Sequence, residues 1–487
     1  MVRKLIAFVL AVAAVGLGVA TFEFDAFGVA SALKITSGSQ TASVTTQVVP
    51  RALSLVCPGA GYVEAASHGG AARFSQQGAA QVSVNQNSSS GFMTATQPTV
   101  IEVSGDKAGE RQGSALLSAN QTQQFNASAN SLSAGANGFI GADCVRPSSD
   151  FWFLGASTAV GRQALLIVHN PSKVDATFDL QLFDESGLVN ASGMQGLSVI
   201  AGKTLVLPLA AFAPSDPTLA VHLSSQGGAV AAWIQQKTVR GTVAAGIDFI
   251  SPSSAASELQ VIPGLAVSAS KAAIEIAKSN PDYGDLAPVV RLFAPAVSAR
   301  GAKTVNATIL VSGIDAKTFG TVVSQEVVVG QTIDVNLPGL ADGKYSVEVK
   351  ADRPIFASMR LSRNSADPAK VLTSSGSDFT WISAAEAITT MRNFMVPGDG
   401  LSTLNIANES TSPTTVTVKD ITHGKTKTYV LAESGVASSA THPGDNLQIS
   451  ASSPVYANVT TASDAGIASL KILDAKNLGG KVSVTLH

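Results

Sequence analysis

Charged residues are scarce in this 487-residue chain. They make up 14% of it, against about 25% in an average soluble domain, and the net charge is -2. Nucleic-acid binding needs a concentrated basic surface to neutralise phosphates, so this composition excludes that class of partner. The chain is also longer than the roughly 250 to 300 residues at which a single core stops growing. Low charge and abundant small residues suit several small, tightly turned β-domains.

Motifs that would name a reaction are missing. There is no phosphate-binding G-x-x-x-x-G-K-[ST] loop, and the stretch from Gly155 to Gly161 has the wrong spacing for the G-x-S-x-G turn of a serine hydrolase. Asp184 and Glu185 are neighbours at a predicted strand end, whereas a glycosidase needs two facing carboxylates. We therefore predict no enzymatic activity, no catalytic residue and no cofactor.

Histidine is rare and dispersed. The sequence has no histidine pair at i, i+2 or i, i+4, spacings that commonly supply two metal ligands. We therefore predict no metal site. We expect all six histidines to lie on the surface or at strand ends, and they are His68, His169, His222, His423, His442 and His487.

Cysteine is limited to Cys57 and Cys144. An even number of cysteines in an exported chain predicts one disulfide. Closing a loop of that length stabilises by roughly 4 to 5 kcal/mol in the chain-entropy model. The alternative is two buried thiols. A zinc site is not predicted, because two isolated cysteines without a nearby histidine pair cannot complete a tetrahedral shell.

The one long apolar run is N-terminal. Residues 5–22 carry no charge and follow Arg3 and Lys4. At 1.5 Å per residue the run covers roughly 27 Å, close to the roughly 30 Å hydrocarbon core of a membrane, and its cationic flank should stay in the cytoplasm. We predict an uncleaved, single-pass signal anchor with the bulk of the chain extracytoplasmic. The alternative is secretion after signal-peptide cleavage at Ala20 or Ala32, and both interpretations export the rest of the chain.

Alternating apolar and polar residues predict an all-β fold. The aromatic stretch of residues 151–153 is followed by a glycine-bearing turn and by the apolar run 165–168, which predicts a hairpin that opens a module. A similar opening recurs at Asp378. Strands recur roughly every ten residues, which is typical of immunoglobulin-like β-sandwiches. Only residues 272–277 carry a helical pattern, and Asn280-Pro281 ends it.

A strand pair recurs about every 110 residues, the size of one immunoglobulin-like sandwich. We interpret each pair as a hairpin, and the three are residues 220–223 with 230–234, 345–349 with 353–359, and 446–450 with 453–459. Tandem modules follow from this repeat, with linkers near 250–257 and 363–378 and a last module that folds alone. The predicted parts are a signal anchor and stalk (1–36), an N-terminal disulfide-bearing β module (37–147) and three β-sandwiches (148–252, 258–365 and 376–487).

Tryptophan offers the best candidates for stacking on sugar rings. Trp152, Trp233 and Trp381 all sit among apolar neighbours, so a buried core position is the favoured interpretation for each. From the aromatic opening and its turn we retain Trp152, Phe153 and Arg162 as candidate binding residues.

Several short motifs carry a family resemblance. They are Arg51 upstream of Cys57-Pro58-Gly59, the Trp152-Phe153 pair with Gly155 and Gly161-Arg162, and Leu166-x-Val168-x-Asn170-Pro171. With the N-terminal anchor, they make the chain similar to an uncharacterised family of actinobacterial cell-envelope proteins, a domain of unknown function encoded near glycosyltransferase genes. The resemblance covers most of the chain, although the double glycine customary after the aromatic pair is Gly155-Ala156 here. It implies an extracellular β-rich protein and brings no catalytic residues.

Location, architecture and resemblance together predict a structural or interaction protein of the bacterial cell envelope. It would hold a binding surface away from the membrane, with an envelope protein or a glycan as its partner. A glycan-binding protein that uses exposed aromatic residues is the alternative, and an enzyme of envelope polymers is the third hypothesis.

Overall fold

The structure is a computed structural model that describes residues 43–48, 52–65, 73–76, 78–86, 89–104, 113–117, 139–314, 320–337, 339–373, 376–462, 466–472 and 480–485. The chain divides into two compact units, one of residues 1–51 with 476–487 and the other of residues 52–475. In the first unit, strand β1 (Ser43–Val48) pairs antiparallel with strand β35 (Gly480–Thr485). Most of the described residues of the second unit lie in β-strands and few lie in helices, which confirms the all-β prediction.

The described part of the second unit contains four structural repeats. The second repeat, residues 150–250, shows the arrangement most completely. Its strands are β10 (Asp150–Ala156), β11 (Arg162–His169), β12 (Ala176–Asp184), β13 (Gly187–Leu188), β14 (Leu197–Val199), β15 (Thr204–Pro208), β16 (Leu219–Gln226), β17 (Ala231–Arg240) and β18 (Val243–Ile250), with a 3₁₀ turn at Leu209–Ala211. They form two sheets, β10-β16-β12-β13 with β14 also on β12, and β15-β11-β17-β18. Apolar side chains of both sheets share one buried cluster, so the sheets face each other as a sandwich.

Residues 257–383 repeat this order with one long strand serving both sheets. The strands are β19 (Ser257–Val267), β20 (Val289–Phe293), β21 (Thr304–Gly313), β22 (Thr321–Val328), β23 (Thr332–Asn336), β24 (Gly343–Asn364) and β25 (Ser377–Ser383). The first half of β24 pairs with β19 and β21, and its second half pairs with β20 and β25. The resulting orders, β19-β24-β21-β22 and β23-β20-β24-β25, match those of the preceding repeat strand for strand.

Within the described residues, α-helices occur only in insertions of this third repeat. The insertions contain α1 (Ser270–Ser279), a 3₁₀ helix (Pro281–Leu286), α2 (Ala296–Ala299) and α3 (Pro368–Thr373). Helix α1 confirms the helical pattern predicted at residues 272–277.

The fourth repeat, residues 387–471, has the same order again. Its strands are β26 (Ala387–Ile388), β27 (Arg392–Met395), β28 (Leu401–Ala407), β29 (Thr414–Asp420), β30 (Lys425–Leu431), β31 (Val436–Thr441), β32 (Asn446–Ala451), β33 (Val455–Ala462) and β34 (Ile467–Lys471). The sheets are β27-β32-β29-β30 and β31-β28-β33-β34, with β26 also on β33.

The first repeat, residues 52–145, is smaller in its described part. Its strands are β2 (Ala52–Cys57), β3 (Tyr62–Ala65), β4 (Arg73–Gln76), β5 (Ala80–Gln86), β6 (Ser89–Ala95), β7 (Thr99–Ser104), β8 (Gly113–Leu117) and β9 (Ile140–Asp143). The order β6-β5-β8-β9 matches β15-β11-β17-β18. Cys57 at the end of β2 and Cys144 just after β9 form a buried disulfide with their Cα atoms 4.2 Å apart, which confirms the predicted bridge.

A shared side-chain motif supports the repeat. Asn170 follows β11 and is fully buried, and its Oδ1 accepts hydrogen bonds from the amide and hydroxyl of Ser172. Asn408 follows the equivalent strand β28, and its Oδ1 accepts the same two bonds from Ser410. Asn170 and Asn408 therefore build the turn between the two sheets in the second and the fourth repeat.

The hairpins predicted from the repeated strand pairs are wrong, although the repeat itself is present. Strand β16 pairs with β10 and β12, whereas β17 pairs with β11 and β18, so the two strands lie in opposite sheets. The same holds for β32 and β33, for the two halves of β24, and for the predicted opening hairpin of β10 and β11. In an immunoglobulin sandwich the first two strands are neighbours, and here they are not.

The predicted module boundary at Asp378 also differs from the structure. Strand β25 is the last strand of the third repeat, where Arg360 lies opposite Trp381 in the ladder with β24. The predicted linker at 363–378 contains the end of β24 and helix α3. Near the other predicted linker, Ser254 donates a hydrogen bond of 2.7 Å to the carbonyl of Ala384. An aromatic strand that opens a sandwich and one that closes it have the same sequence pattern, and only the pairing distinguishes them.

The last strands of the four repeats pack against one another around a common centre: β9 on β18, β18 on β25, β25 on β34, and β34 on β9. Three of these strands carry a buried aspartate, namely Asp143, Asp248 and Asp378. Asp248 accepts backbone hydrogen bonds from Gly141 at 3.0 Å and from Trp381 at 3.3 Å. Each bond crosses to a neighbouring repeat, so these repeats are parts of one body.

The predicted anchor, residues 5–22, lies outside the described residues. In the part of the chain that the structure does describe, no helix combines the length and the apolar character that crossing a membrane requires.

Candidate functional site

A cavity of about 1030 Å³ lies between the second and third repeats. One wall is formed by helix α1 and the 3₁₀ helix Pro281–Leu286, which are inserted between β19 and β20. These two elements and α3 share a small apolar core of Ala273, Ile276, Tyr283, Leu286 and Val371. The opposite wall comes from β17 and from the turn between β10 and β11.

The sequence fixes the start of the 3₁₀ helix. Pro281 stands at its first position, and the side chain of Asn280 accepts a hydrogen bond of 3.1 Å from the amide of Asp282. A capping side chain followed by proline is the usual signal for a helix start. The helix places Asp285 at the cavity.

Three arginines converge on Asp285. Arg162, Arg240 and Arg360 all form ion pairs with its carboxylate, at 2.5 Å for Arg240 and 3.1 Å for Arg360. Burial would raise the pKa of Asp285, but the charges of Arg360, Arg240 and Arg162 outweigh it and hold that pKa below its usual range. Burial lowers the pKa of Arg360 to about 10, which leaves it charged at neutral pH. Three guanidinium groups therefore face one carboxylate.

The arginines are held in place by aromatic rings. The guanidinium carbon of Arg240 lies 4.8 Å from the ring centroid of Tyr283, and that of Arg360 lies 4.6 Å from Phe379. Such stacking orients a planar guanidinium group and stabilises its charge. The Nε of Arg240 is buried and has no hydrogen-bond acceptor among the residues that the structure describes.

A fourth arginine, Arg291, lies in the same cavity wall. It forms a bidentate pair with Asp334, at 2.7 and 2.8 Å, and its guanidinium stacks 4.8 Å from the ring of Trp381. It also donates a hydrogen bond of 2.6 Å to the carbonyl of Ala156 in the second repeat. This residue therefore joins the two walls.

Gly155 of the predicted motif has a packing role at this junction. A Cβ on this residue would lie 2.8 Å from the ring of Trp381. The glycine after the aromatic pair therefore lets the third repeat pack closely against the second.

The structure separates the three predicted binding residues. Arg162 lines the cavity, but Phe153 is buried in the sandwich core and Trp152 lies on the opposite face of β10. Trp152 is partly buried and stacks on His222, with ring centroids 4.1 Å apart, and also packs against Phe183, Phe293 and Phe356. Of the other tryptophans, Trp233 is fully buried in the core, whereas Trp381 is buried and still lines the cavity.

Sequence reasoning missed Arg240, Arg291, Arg360 and Asp285. A signal was present, because Arg291 and Arg360 each interrupt an apolar strand, in Val-Val-Arg-Leu-Phe and Ser-Met-Arg-Leu-Ser. A charge inside a buried strand needs a partner, since an unpaired buried ion is costly.

A second cluster of titratable side chains lies at one end of the fourth repeat. Asp420, His423 and Asp445 each offer a ligand atom, and these atoms lie within 4.8 Å of one another. The predicted absence of a metal site depended on histidine pairs at i, i+2 and i, i+4. In the structure, Asp420 and His423 have the spacing i, i+3 within one turn, and Asp445 comes from a separate turn.

The lining of the cavity pairs arginines with carboxylates. Among its described lining residues there is no histidine or cysteine. Asp285 and Asp334 are both paired with arginines, and the lowered pKa of Asp285 keeps that carboxyl ionised near neutral pH.

Comparison with known proteins gives a family match for this chain. No curated protein matches the chain. Residues 103–443, which include both cavity walls, match a family described as a family of unknown function, DUF5719. Because that match covers well over half of the sequence, the chain belongs to the DUF5719 family.

Proposed function

We propose that this protein is an exported, non-catalytic binding protein of the bacterial cell envelope, and that the cavity between its second and third repeats takes an acidic ligand, such as the acidic sugar of an envelope glycan. The observation that carries the proposal is the convergence of Arg162, Arg240 and Arg360 on the single carboxylate of Asp285.

The charge balance of the cluster supports an anionic ligand. Removing charged groups from water is costly, and buried ions are normally paired. Three arginines with one aspartate leave positive charge in excess, and within the described part of the chain the buried Nε of Arg240 lacks an acceptor. An arriving carboxylate or phosphate would supply both the charge and the acceptors. The planar guanidinium fork binds these two groups better than lysine does.

The other side of the cavity supports a ligand with an apolar face. Ala273, Ile274 and Ala277 of helix α1 line it, together with Leu286 and the ring of Trp381. A volume of about 1030 Å³ is at the upper end of the roughly 300 to 1,000 Å³ of ordinary ligand sites. A sugar has an apolar ring face and polar edges, and an acidic sugar adds the charge that the arginines need.

Sequence features support the location. The uncharged run at residues 5–22 predicts export, and the disulfide between Cys57 and Cys144 suits an oxidising compartment outside the cytoplasm. An anchor at residues 5–22 would hold the ligand-binding repeats at the extracytoplasmic face of the membrane. The partner then belongs to the envelope.

A glycan screen with matched pairs tests the ligand class. Purified full-length protein should bind oligosaccharides of glucuronate or galacturonate and fail to bind the corresponding glucose or galactose oligomers. Binding should weaken with rising salt, because part of the attraction is between exposed charges. Equal binding to the neutral and acidic member of each pair, or binding to neither, would contradict the proposal.

A further inference from the structure

Two turns at one end of the fourth repeat bring together the sequences Asp-x-x-His and His-x-x-Asp. The first turn, residues 420–423, joins β29 to β30, and the second, residues 442–445, joins β31 to β32. His423 Nδ1 lies 2.7 Å from Asp420 Oδ2 and 3.3 Å from Asp445 Oδ1. One imidazole nitrogen therefore lies between two carboxylates from different turns.

The two turns are rigidly connected to each other. The amide of Ile421 donates a hydrogen bond of 2.8 Å to the carbonyl of Asn446, and the amide of Asn446 donates one of 2.9 Å to Thr422 Oγ1. Within each turn an aspartate fixes the histidine backbone, since Asp420 Oδ1 accepts from the His423 amide at 3.1 Å and Asp445 Oδ2 accepts from the His442 amide at 2.8 Å. These bonds preorganise the side chains.

Asp445 supplies an independent indication of a ligand. Its side chain is 5% exposed, and its Oδ1 makes no hydrogen bond within the described part of the chain. The nearby His423 Nδ1 lies closer to Asp420 Oδ2, at 2.7 Å, than to Asp445 Oδ1, at 3.3 Å. A buried carboxylate oxygen without a donor is costly unless an ion binds it.

We propose that Asp420, His423 and Asp445 bind a divalent transition-metal ion of the zinc class. Ligand bonds of about 2.0 to 2.1 Å at tetrahedral angles place ligand atoms about 3.3 Å apart. The separation of 3.3 Å between His423 and Asp445 matches that spacing, and the separation of 2.7 Å between His423 and Asp420 is shorter. Two carboxylates balance the charge of the ion. The imidazole ligand disfavours calcium and magnesium, which take oxygen ligands.

His442 is placed to complete the tetrahedron. Its side chain is 80% exposed, its Nδ1 lies 3.4 Å from Asp445 Oδ2, and its ring centroid is 6.1 Å from that of His423. An exposed side chain can change rotamer at little cost, so it can supply the fourth ligand. The bound ion would link the two turns and stabilise this end of the repeat.

Zinc titration of the chelator-treated full-length protein tests the site. We expect one zinc ion per chain by calorimetry, a higher melting temperature with zinc, and at least tenfold weaker binding in Asp445→Asn and in His423→Ala. Asparagine retains an oxygen for the His442 amide, so Asp445→Asn should melt like the wild type without metal. Asp150→Asn is the matched control, because Asp150 and His222 form a similar pair at 2.7 Å that belongs to no group of three metal-binding side chains among the described residues. Failure of the wild type to bind zinc, or unchanged zinc affinity in both variants, would overturn the proposal.

Discussion

Asp378 accepts a hydrogen bond of 3.0 Å from the backbone amide of Ile467. The bond joins the last strand of the third repeat to the last strand of the fourth. The same oxygen, Oδ2, accepts a second bond of 3.1 Å from the amide of Phe139, which precedes the last strand of the first repeat. One buried carboxylate thus connects three of the four repeats.

The first prediction concerns the pH dependence of stability. Burial raises the pKa of Asp378 to about 7, and it also raises that of Asp248. The folded protein then binds more protons than the unfolded chain between about pH 4 and 7, so the free energy of unfolding should fall as pH rises through that window, by about 1.4 kcal/mol per unit at most for each group. Urea denaturation at pH 5 and pH 8 measures this.

Asp378→Asn should flatten this dependence and stabilise the protein at pH 8. Oδ2 of Asp378 accepts both bonds to the neighbouring repeats, so the carbonyl oxygen of asparagine can keep them while the buried charge is removed. Glu258→Gln, on an exposed residue of β19, is the control. An unchanged slope in Asp378→Asn would show that this carboxyl is not responsible.

The second prediction concerns the disulfide. Cys57 and Cys144 are 87 positions apart, and opening a loop of that length costs about 4 to 5 kcal/mol in the chain-entropy model. Cys144→Ser should lower the unfolding free energy by that order, as measured in guanidinium chloride. A reductant should destabilise the wild type and leave the variant unchanged. Equal midpoints with and without reductant in the wild type would contradict the account.

The third prediction tests the contact between the third and fourth repeats. A Cβ on Gly264 would lie 2.2 Å from Cγ of Asn405, and the Gly264 carbonyl accepts a hydrogen bond of 3.1 Å from Asn458. Asn405 and Asn458 are both buried and bonded to each other, so neither side chain can move aside cheaply. Gly264→Ala should cost about 1 to 3 kcal/mol by overpacking.

Gly91→Ala is the control for this variant, because an added methyl group there meets nothing within 4 Å. Thermal melting distinguishes the two changes. Equal melting temperatures for both variants would mean that the two repeats do not pack as described.

The fourth prediction concerns a fragment of residues 378–487. The sequence pattern predicts that it folds alone, whereas the structure leads us to expect that it does not. The fragment separates β25 from β24, and it removes β9 from its contact with β34. Circular dichroism should show no cooperative melt. A sharp melt with dispersed amide resonances would support the independent module instead.

Local sequence specifies the strands of this fold but not which strands pair. Alternation predicts the strands and their buried faces, and the repeat of strand pairs is real, because both are properties of neighbouring residues. Sheet membership depends on distant partners. The same alternation in β16 is compatible with pairing to β17 or to β10, and only the folded chain selects the second.

The cluster of arginines around Asp285 and the cluster of Asp420, His423 and Asp445 could not be predicted from the sequence for the same reason. Arg360 and Asp285 are 75 positions apart, and His423 meets Asp445 only when two turns come together. An isolated arginine in an apolar strand indicates a buried partner without naming it. The disulfide was predictable because only two cysteines could pair.

Calorimetric titration of full-length protein with a glucuronate oligosaccharide tests the central claim most directly. Arg162→Gln removes one guanidinium and leaves Asp285 paired with Arg240 and Arg360, so the fold should persist. Arg353→Gln removes an exposed arginine outside the cavity lining. We predict one site in the wild type, at least tenfold weaker binding in Arg162→Gln, and wild-type affinity in Arg353→Gln. Wild-type affinity in Arg162→Gln, or equal loss in both variants, would contradict the assignment of the cavity as an anion-binding site.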